Sequence, residues 1–338
     1  MTETINFYRQ ALPEENKYDT PEGYVAILLA TYNGEQYLEE QLESLRTQTH
    51  QNFICYIHDD GSADSTQAIV ESYCNNHHDH FIYMGSSQTG GAKFNFMYML
   101  RNVKADYYMF CDQDDVWLPE KIEKTYRLMR QTEDENASQC PTCVFTDAMV
   151  VDEKLSIING SFYTYSGTVK PNSMELCDLI YRNLAPGCTL LINSHLRKKA
   201  LMIDDIKMIR MHDWFLTLIA ASEGKLVRIS EPLLYYRQHE HNAIGAHKDK
   251  TKIEKVESFL RIKKWVAKKN QFFDGVECQA KAVLAVLEMD HNIPDKIHKH
   301  VEEPKINKNI VVIQKFLKQQ NAPLVVKLVK FYHWKWKK

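Results

Sequence analysis

Residues 110–119 read Phe-Cys-Asp-Gln-Asp-Asp-Val-Trp-Leu-Pro, and three carboxylates fall close together in them, Asp112, Asp114 and Asp115. Asp112 and Asp114 are two positions apart, so on an extended backbone they share a face. Clustered carboxylates repel one another unless a cation lies between them. Hard oxygen ligands favour Mg2+ or Mn2+, ions that commonly bridge to substrate phosphates. The plainer reading is a solvated acidic turn ahead of a helix, where carboxylates are welcome for electrostatic reasons alone.

The elements around this turn decide between the two readings. Asp106 to Phe110 reads as an apolar, aromatic strand, and Pro119 suits the first position of a following helix. The turn therefore sits at the carboxyl end of a strand, where open α/β sheets place their ligands. The same pattern recurs upstream. Tyr24 to Ala30 is a continuous apolar run, as in a buried parallel strand, and it ends in Thr31-Tyr32-Asn33-Gly34. Asn33 with Gln36 predicts a capping box for a helix whose buried face carries Leu38, Leu42 and Leu45. Phe53 to His58 predicts a second strand, ending in Asp59-Asp60-Gly61-Ser62-Ala63-Asp64-Ser65, with Asp64 or Ser65 capping a helix through Tyr73. Phe81 to Met84 predicts a short third strand, and Gly90-Gly91-Ala92-Lys93 opens another helix. Strands alternating with helices imply a doubly wound, mostly parallel α/β sheet with its polar clusters on one edge.

Further along, Cys143 to Thr146 predicts a strand ending at Asp147, and Pro186-Gly187-Cys188 leads into a strand over Thr189 to Ile192. His212-Asp213-Trp214 opens a helix that stops at Gly224. Leu226 to Ile229 and Leu233 to Tyr236 predict two strands, the second followed by Arg237-Gln238-His239-Glu240-His241-Asn242. From Lys250 the pattern is helical, with Phe259, Ile262, Trp265 and Val266 on one face and a second helix over 276–289.

Charge divides the chain unevenly. Residues 248–338 carry 21 Lys and Arg against 10 Asp and Glu, a net of +11, while residues 1–247 carry a net of −13. With Pro13, Pro21 and many polar residues marking 1–22 as a lead-in segment, this predicts a catalytic domain over 23–247 and a basic helical region over 248–338. The stretch Ile310 to Lys338 mixes apolar and aromatic residues with seven lysines. That composition suits a helix on an anionic membrane surface, or an ordinary basic helix packed on the domain. The start lacks a basic region followed by an apolar run, so it does not read as a secretory signal, and no run of 18 apolar residues is present. The eight cysteines are scattered; Cys140 and Cys143 form a lone CxxC without a second pair at zinc spacing. Reduced thiols and a cytoplasmic location are the expectation. A nucleic-acid partner is not expected, because basic and aromatic residues do not interleave across a sheet face.

Ala30-Thr31-Tyr32-Asn33-Gly34, Asp59-Asp60-Gly61-Ser62-Ala63-Asp64, Asp112-Gln113-Asp114-Asp115 and His212-Asp213-Trp214 occur in one order, and together they resemble the family 2 glycosyltransferases over about residues 24–245. Gly187-Cys188-Thr189 and the stretch Tyr236 to Asn242 are most similar to the rhamnosyltransferase branch that builds bacterial cell-wall and capsular polysaccharide. The resemblance implies a GT-A fold and inverting, metal-dependent sugar transfer from a dTDP- or UDP-sugar, dTDP-rhamnose first, to a saccharide acceptor that is lipid-linked at the inner face of the cell membrane. It implies that Thr31, Tyr32 and Asn33 line the nucleotide, that Asp60 accepts the N3–H of uracil or thymine, and that Lys93 reaches the nucleotide or diphosphate. Asp112 and Asp114 would hold the Mg2+ or Mn2+ ion, with His239 completing the site. Asp115 is either a further ligand or a helix cap. Asp213 would be the general base, or alternatively a helix N-cap. Trp214 would stack on the acceptor or pack in the core, and Arg237 would pair with a phosphate or with a structural carboxylate. A nucleotidyltransferase would use similar carboxylates, but no phosphate loop follows the first strand. A non-catalytic saccharide-binding subunit would be expected to lack Asp213 or the acidic turn.

Overall fold

Val25–Thr31 forms strand β1, and alternation along it explains the centre of the molecule. Val25, Ile27 and Leu29 belong to one apolar cluster and Ala26 and Leu28 to another, so the strand is buried on both faces. The computed structural model describes residues 17–136, 139–166, 179, 182–203, 205–239 and, apart from 277 and 284, 274–286. In chain order the elements after β1 are α1 (Leu38–Arg46), β2 (Phe53–Asp59), α2 (Thr66–Asn76), β3 (Phe81–Ser86), α3 (Ala92–Asn102), β4 (Tyr107–Asp112), β5 (Val116–Trp117) and α4 (Lys121–Asp134). Then come β6 (Thr142–Val151), β7 (Ile157–Asn159), α5 (Phe162–Tyr165), β8 (Leu190–Asn193), α6 (Ser194–Ala200), α7 (His212–Glu223) and β9 (Lys225–Arg237). Short strands Tyr18–Asp19 and Val103–Lys104 pair apart from the main sheet.

The main sheet runs β3-β2-β1-β4-β8-β6-β9-β5, with β7 on β6. From β3 through β4 it is parallel, as the alternating pattern predicts. Beyond β4 it departs from a doubly wound parallel sheet. β8 runs antiparallel to both β4 and β6, and β5 antiparallel to β9, while β6 and β9 are parallel. This is the mixed, mostly parallel sheet of the GT-A architecture. The strand order reverses at β1, which places a crevice outside the carboxyl ends of β1 and β4. Antiparallel β8 brings its own beginning to that crevice: Leu191 lies opposite Met109, so the turn Gly187–Thr189 falls beside Asp112.

Several local expectations are corrected. α1 is capped at Tyr37, with no side-chain bond, because Asn33 is already committed to Ala63. Leu38, Leu42 and Leu45 are fully buried as expected. α4 starts at Lys121 rather than at Pro119. Asp147 lies within β6 rather than at its end, and β9 is one strand whose register shifts around Pro232, not two. α6 has no periodic signal in the sequence; Asn193 caps it by accepting the N–H of Leu196. Gly224 does end α7, but at φ −138°. Its lack of a side chain matters because a Cβ there would stand 1.8 Å from the Pro141 carbonyl oxygen.

Among the described residues no helix is long and apolar enough to cross a membrane. The predicted face over 259–266 and the basic stretch 310–338 lie outside the described residues. Within 274–286, Val276, Ala282, Val283 and Val286 join the apolar cluster that holds Trp214 and Phe215.

Candidate active site

A cleft of about 700 Å³ opens at the carboxyl ends of β1 and β4. Thr31, Tyr32, Asp60, Asp112, Asp114 and Asp213 all line it. Segments far apart in sequence thus converge on one space, as the sorting of polar clusters to one sheet edge predicts.

One wall is a hydrogen-bonded loop system. Thr31 is buried, and its hydroxyl donates to Asp59 Oδ2 at 2.9 Å. Asp59 also accepts from the Gly61 and Ser62 amides and the Ser62 and Ser86 hydroxyls. Burial pushes its pKa up, but these hydrogen bonds outweigh burial and hold it below the usual carboxylate value. Asn33, at φ +47°, is off the cleft; its Oδ1 takes the N–H of Ala63. Tyr32 is 58% exposed at the mouth. Asp60 secures the loop opposite: Oδ1 accepts from the amide and hydroxyl of Thr89 and from the Gly90 amide, and Oδ2 from the Gly91 amide at 2.7 Å. Oδ2 therefore keeps an acceptor site beyond Gly91. Lys93 does not line the cleft; its ammonium donates to the Ile209 carbonyl at 2.7 Å.

The floor is acidic. Burial, then the charges of Asp114 and Asp213, push the Asp112 pKa up to about 7. A divalent cation among these carboxylates would act in the opposite direction. Asp114 Oδ2 lies 2.7 Å from Nε2 of His239, whose ring packs on Tyr37. Asp112 and Asp114 line the cleft and His239 does not; their oxygens and the imidazole are of the types that bind Mg2+ or Mn2+. Asp112, Asp115 and Cys188 also bring one donor atom each within 4.8 Å of one another. Burial raises the Cys188 thiol and the Asp115 carboxyl well above their ordinary values, as it raises Asp112. Asp115 is fully buried, not part of an exposed acidic turn, and accepts the Arg237 amide. Arg237 takes the structural alternative: its guanidinium bonds to Glu40 and to the carbonyls of Asp114 and Glu153, stacks over Tyr37, and does not line the cleft.

The far wall carries Asp213. It is not the cap of α7, a position held by Met211 without a side-chain bond. Instead Oδ2 accepts from Asn183 at 2.8 Å and from the Gly187 amide at 2.9 Å, and Oδ1 from the Trp214 amide. Burial raises its pKa to about 6, against the lowering effect of those bonds. A carboxylate held in place with a pKa near neutrality is suited to taking a proton. Trp214 is a core residue; its indole N–H donates to the Leu179 carbonyl. The residues that orient Asp213, Asn183 and Gly187, carry no role in the sequence reading. The only signal for either is Gly187 in the turn before β8. His212, also without a role in that reading, proves to be a packing residue at the cleft edge. Its ring lies 4.3 Å from that of Phe96 and 5.0 Å from that of Phe110. A Cβ on Gly187 would come within 2.9 Å of its Nε2.

Comparison with known proteins bears on the fold and the family. The family model described as glycosyl transferase family 2 matches residues 26–177. The chain is 32% identical over 233 residues to a dTDP-rhamnosyl transferase, RfbG, of Shigella flexneri, spanning 65% of this chain and 74% of that one. It is 30% identical over 215 residues to an uncharacterized glycosyltransferase, RT0329, of Rickettsia typhi, covering 61% of this chain and 62% of the relative. In three dimensions it resembles S. aureus TarS 1–349 in complex with UDP-GlcNAc, with a TM-score of 0.51 over 85% of this chain and 70% of that one, at 17% identity. The fold, the cleft at the switch point of the sheet and the Shigella relative lead to one assignment: the chain belongs to glycosyl transferase family 2.

Proposed function

We propose that this glycosyltransferase moves L-rhamnose from dTDP-rhamnose to a saccharide acceptor, with inversion at the anomeric carbon, in bacterial cell-surface polysaccharide synthesis. The observation that carries the chemistry is the placement of Asp213, with its pKa raised to about 6, and of Asp112 and Asp114 on one cleft. The name of the Shigella relative supports the donor.

In this reading Tyr32 and Asp60 receive the nucleobase, with Asp60 Oδ2 accepting the N3–H that thymine and uracil share. Asp112, Asp114 and His239 would hold the divalent cation. When bound, the ion supplies Lewis-acid neutralisation of the leaving diphosphate. The acceptor hydroxyl oxygen bonds to the anomeric carbon on the face opposite the diphosphate. Asp213 takes the hydroxyl proton, and the bond from the anomeric carbon to the diphosphate oxygen breaks. Asn183 and Gly187 keep the Asp213 carboxylate aimed while this happens. Lys93 and Arg237 have no direct part, being bonded to protein groups elsewhere. The acceptor is proposed to be lipid-linked, with the enzyme peripheral at the inner face of the cell membrane.

A hydrolysis screen with dTDP-rhamnose, UDP-glucose, UDP-galactose, UDP-N-acetylglucosamine and GDP-mannose tests the donor. Fastest turnover is expected with dTDP-rhamnose. Preference for a UDP-hexose would replace the donor while keeping the mechanism, and release of nucleoside monophosphate and sugar 1-phosphate in place of nucleoside diphosphate would overturn sugar transfer itself.

A further inference from the structure

Gln113 sits between the two carboxylates proposed to hold the cation, yet its side chain is bonded to a different loop. Its Oε1 accepts the Tyr32 amide at 2.8 Å, and its Nε2 donates to the Tyr32 carbonyl at 2.9 Å. Backbone pairing between β1 and β4 ends at Ala30 with Asp112. The Gln113 amide continues that ladder by one step with a side chain. Among the described residues the Tyr32 backbone has no other hydrogen-bond partner.

Gly34 makes the arrangement possible. A Cβ at that position would stand 2.2 Å from Gln113 Oε1 and 2.4 Å from its Cδ. The other anchors of this loop all come from the end of β2 and the segment after it: Thr31 to Asp59, Asn33 to Ser62 and Ala63, Gly34 to Thr66. Gln113 supplies the tie from the acidic turn.

We propose that Gln113 is a positioning residue that locks the loop carrying Tyr32 to the Asp112–Asp114 turn, so that the base and the diphosphate of the donor are received by one rigid unit. This rests on the reading of the cleft as a nucleotide-sugar site. A free loop would have to be ordered again each time donor binds, and that cost would fall on donor affinity rather than on the reacting atoms.

The test is steady-state kinetics of the full chain with the donor that the screen identifies. Gln113→Ala removes two hydrogen bonds, so the donor KM is expected to rise on the order of tenfold with kcat changing far less. Gln113→Glu should behave similarly, since it sets a carboxylate oxygen against the Tyr32 carbonyl. Gly34→Ala is expected to raise KM in the parent but to add little in the Gln113→Ala background, where the group it strikes is gone. Hydrogen exchange at the Tyr32 amide, read without any ligand, should accelerate in Gln113→Ala while the melting temperature holds. Unchanged KM and unchanged exchange in Gln113→Ala would overturn the proposal, as would an equal fall in kcat and kcat/KM. A parent that turns over donor normally beside an unaffected Gln113→Ala removes this proposal alone. A parent that hydrolyses no nucleotide sugar removes the reading of the cleft and this proposal with it.

Discussion

Asp213 combines burial, three hydrogen bonds and a pKa raised to about 6, and each has a kinetic consequence. A base must be ionised to accept a proton, so turnover is expected to fall as the pH drops through about 6. Asp213→Asn keeps the shape and one of the two acceptor oxygens but cannot take a proton. Its loss should fall on kcat, by roughly 10²–10⁴-fold, with donor affinity preserved. A purely structural role would leave the turnover of the folded Asn variant close to that of the parent. Measuring donor affinity and acceptor turnover on one mutant separates these, and near-normal turnover would remove Asp213 from the mechanism. The alternatives among nearby carboxylates are less suited: Asp115 is fully buried, and Asp147 is bonded to Ser161 and to the Phe162 and Ala148 amides. Asp114→Ala should abolish transfer while costing about 1 kcal/mol of stability through the lost bond to His239. Transfer at full rate in excess chelator, after metal removal, would refute the assigned cation site.

The end of α7 and the start of β9 pass so close to the β6 entry that Gly224 touches the Pro141 carbonyl. Gly224→Ala forces backbone apart, and a destabilisation of about 1–3 kcal/mol is expected in urea titrations. An unchanged midpoint would show that the contact relaxes at no cost. At its other end α7 carries His212, buried with both ring nitrogens unpartnered and its pKa lowered by burial to about 3. An unfolded histidine titrates near 6.5, so between about 6.5 and 3 the unfolded chain binds the extra proton and stability falls as pH falls. His212 alone should remove about 1.4 kcal/mol by pH 5.5, and His212→Phe should flatten that part of the pH profile. Parallel profiles for parent and mutant would contradict a neutral His212. The sequence carried β1, β2, β3 and β4 plainly because each is an apolar run closed by a polar turn, a purely local signal. It did not carry the antiparallel sense of β8, which long-range pairing decides. It named the convergent carboxylates, since their types are unusual at strand ends. It left Arg237 open between a phosphate and a structural carboxylate, and it did not reveal that Lys93 turns to a protein carbonyl, nor that Gln113 ties two loops, because such partners are chosen by tertiary contact.

The whole chain is nearly neutral, but its charge is polarised, with −13 before residue 248 and +11 after it. An acidic cleft and a basic tail on one molecule suit an enzyme whose acceptor is held at an anionic surface. The aromatic pair Trp334 and Trp336 beside Lys335, Lys337 and Lys338 has the composition of an interfacial anchor, apolar rings with cations between them. Each lysine near an anionic leaflet contributes about 1 kcal/mol, so the seven between Ile310 and Lys338 could hold the protein without a spanning helix. Another part of the sequence after residue 247 is buried in the larger apolar cluster. There Val276, Ala282, Val283 and Val286 are buried with α7, so a truncation must spare them. Removing residues 310–338 is therefore expected to reduce sedimentation with vesicles containing anionic lipid while leaving hydrolysis of soluble donor intact. Added salt should weaken the parent's binding in the same way, because the attraction acts over about a Debye length, about 8 Å at physiological ionic strength. Neutral vesicles serve as the control. Equal sedimentation of truncated and full-length protein would assign the tail to packing on the catalytic domain and leave membrane recruitment without a carrier in this chain.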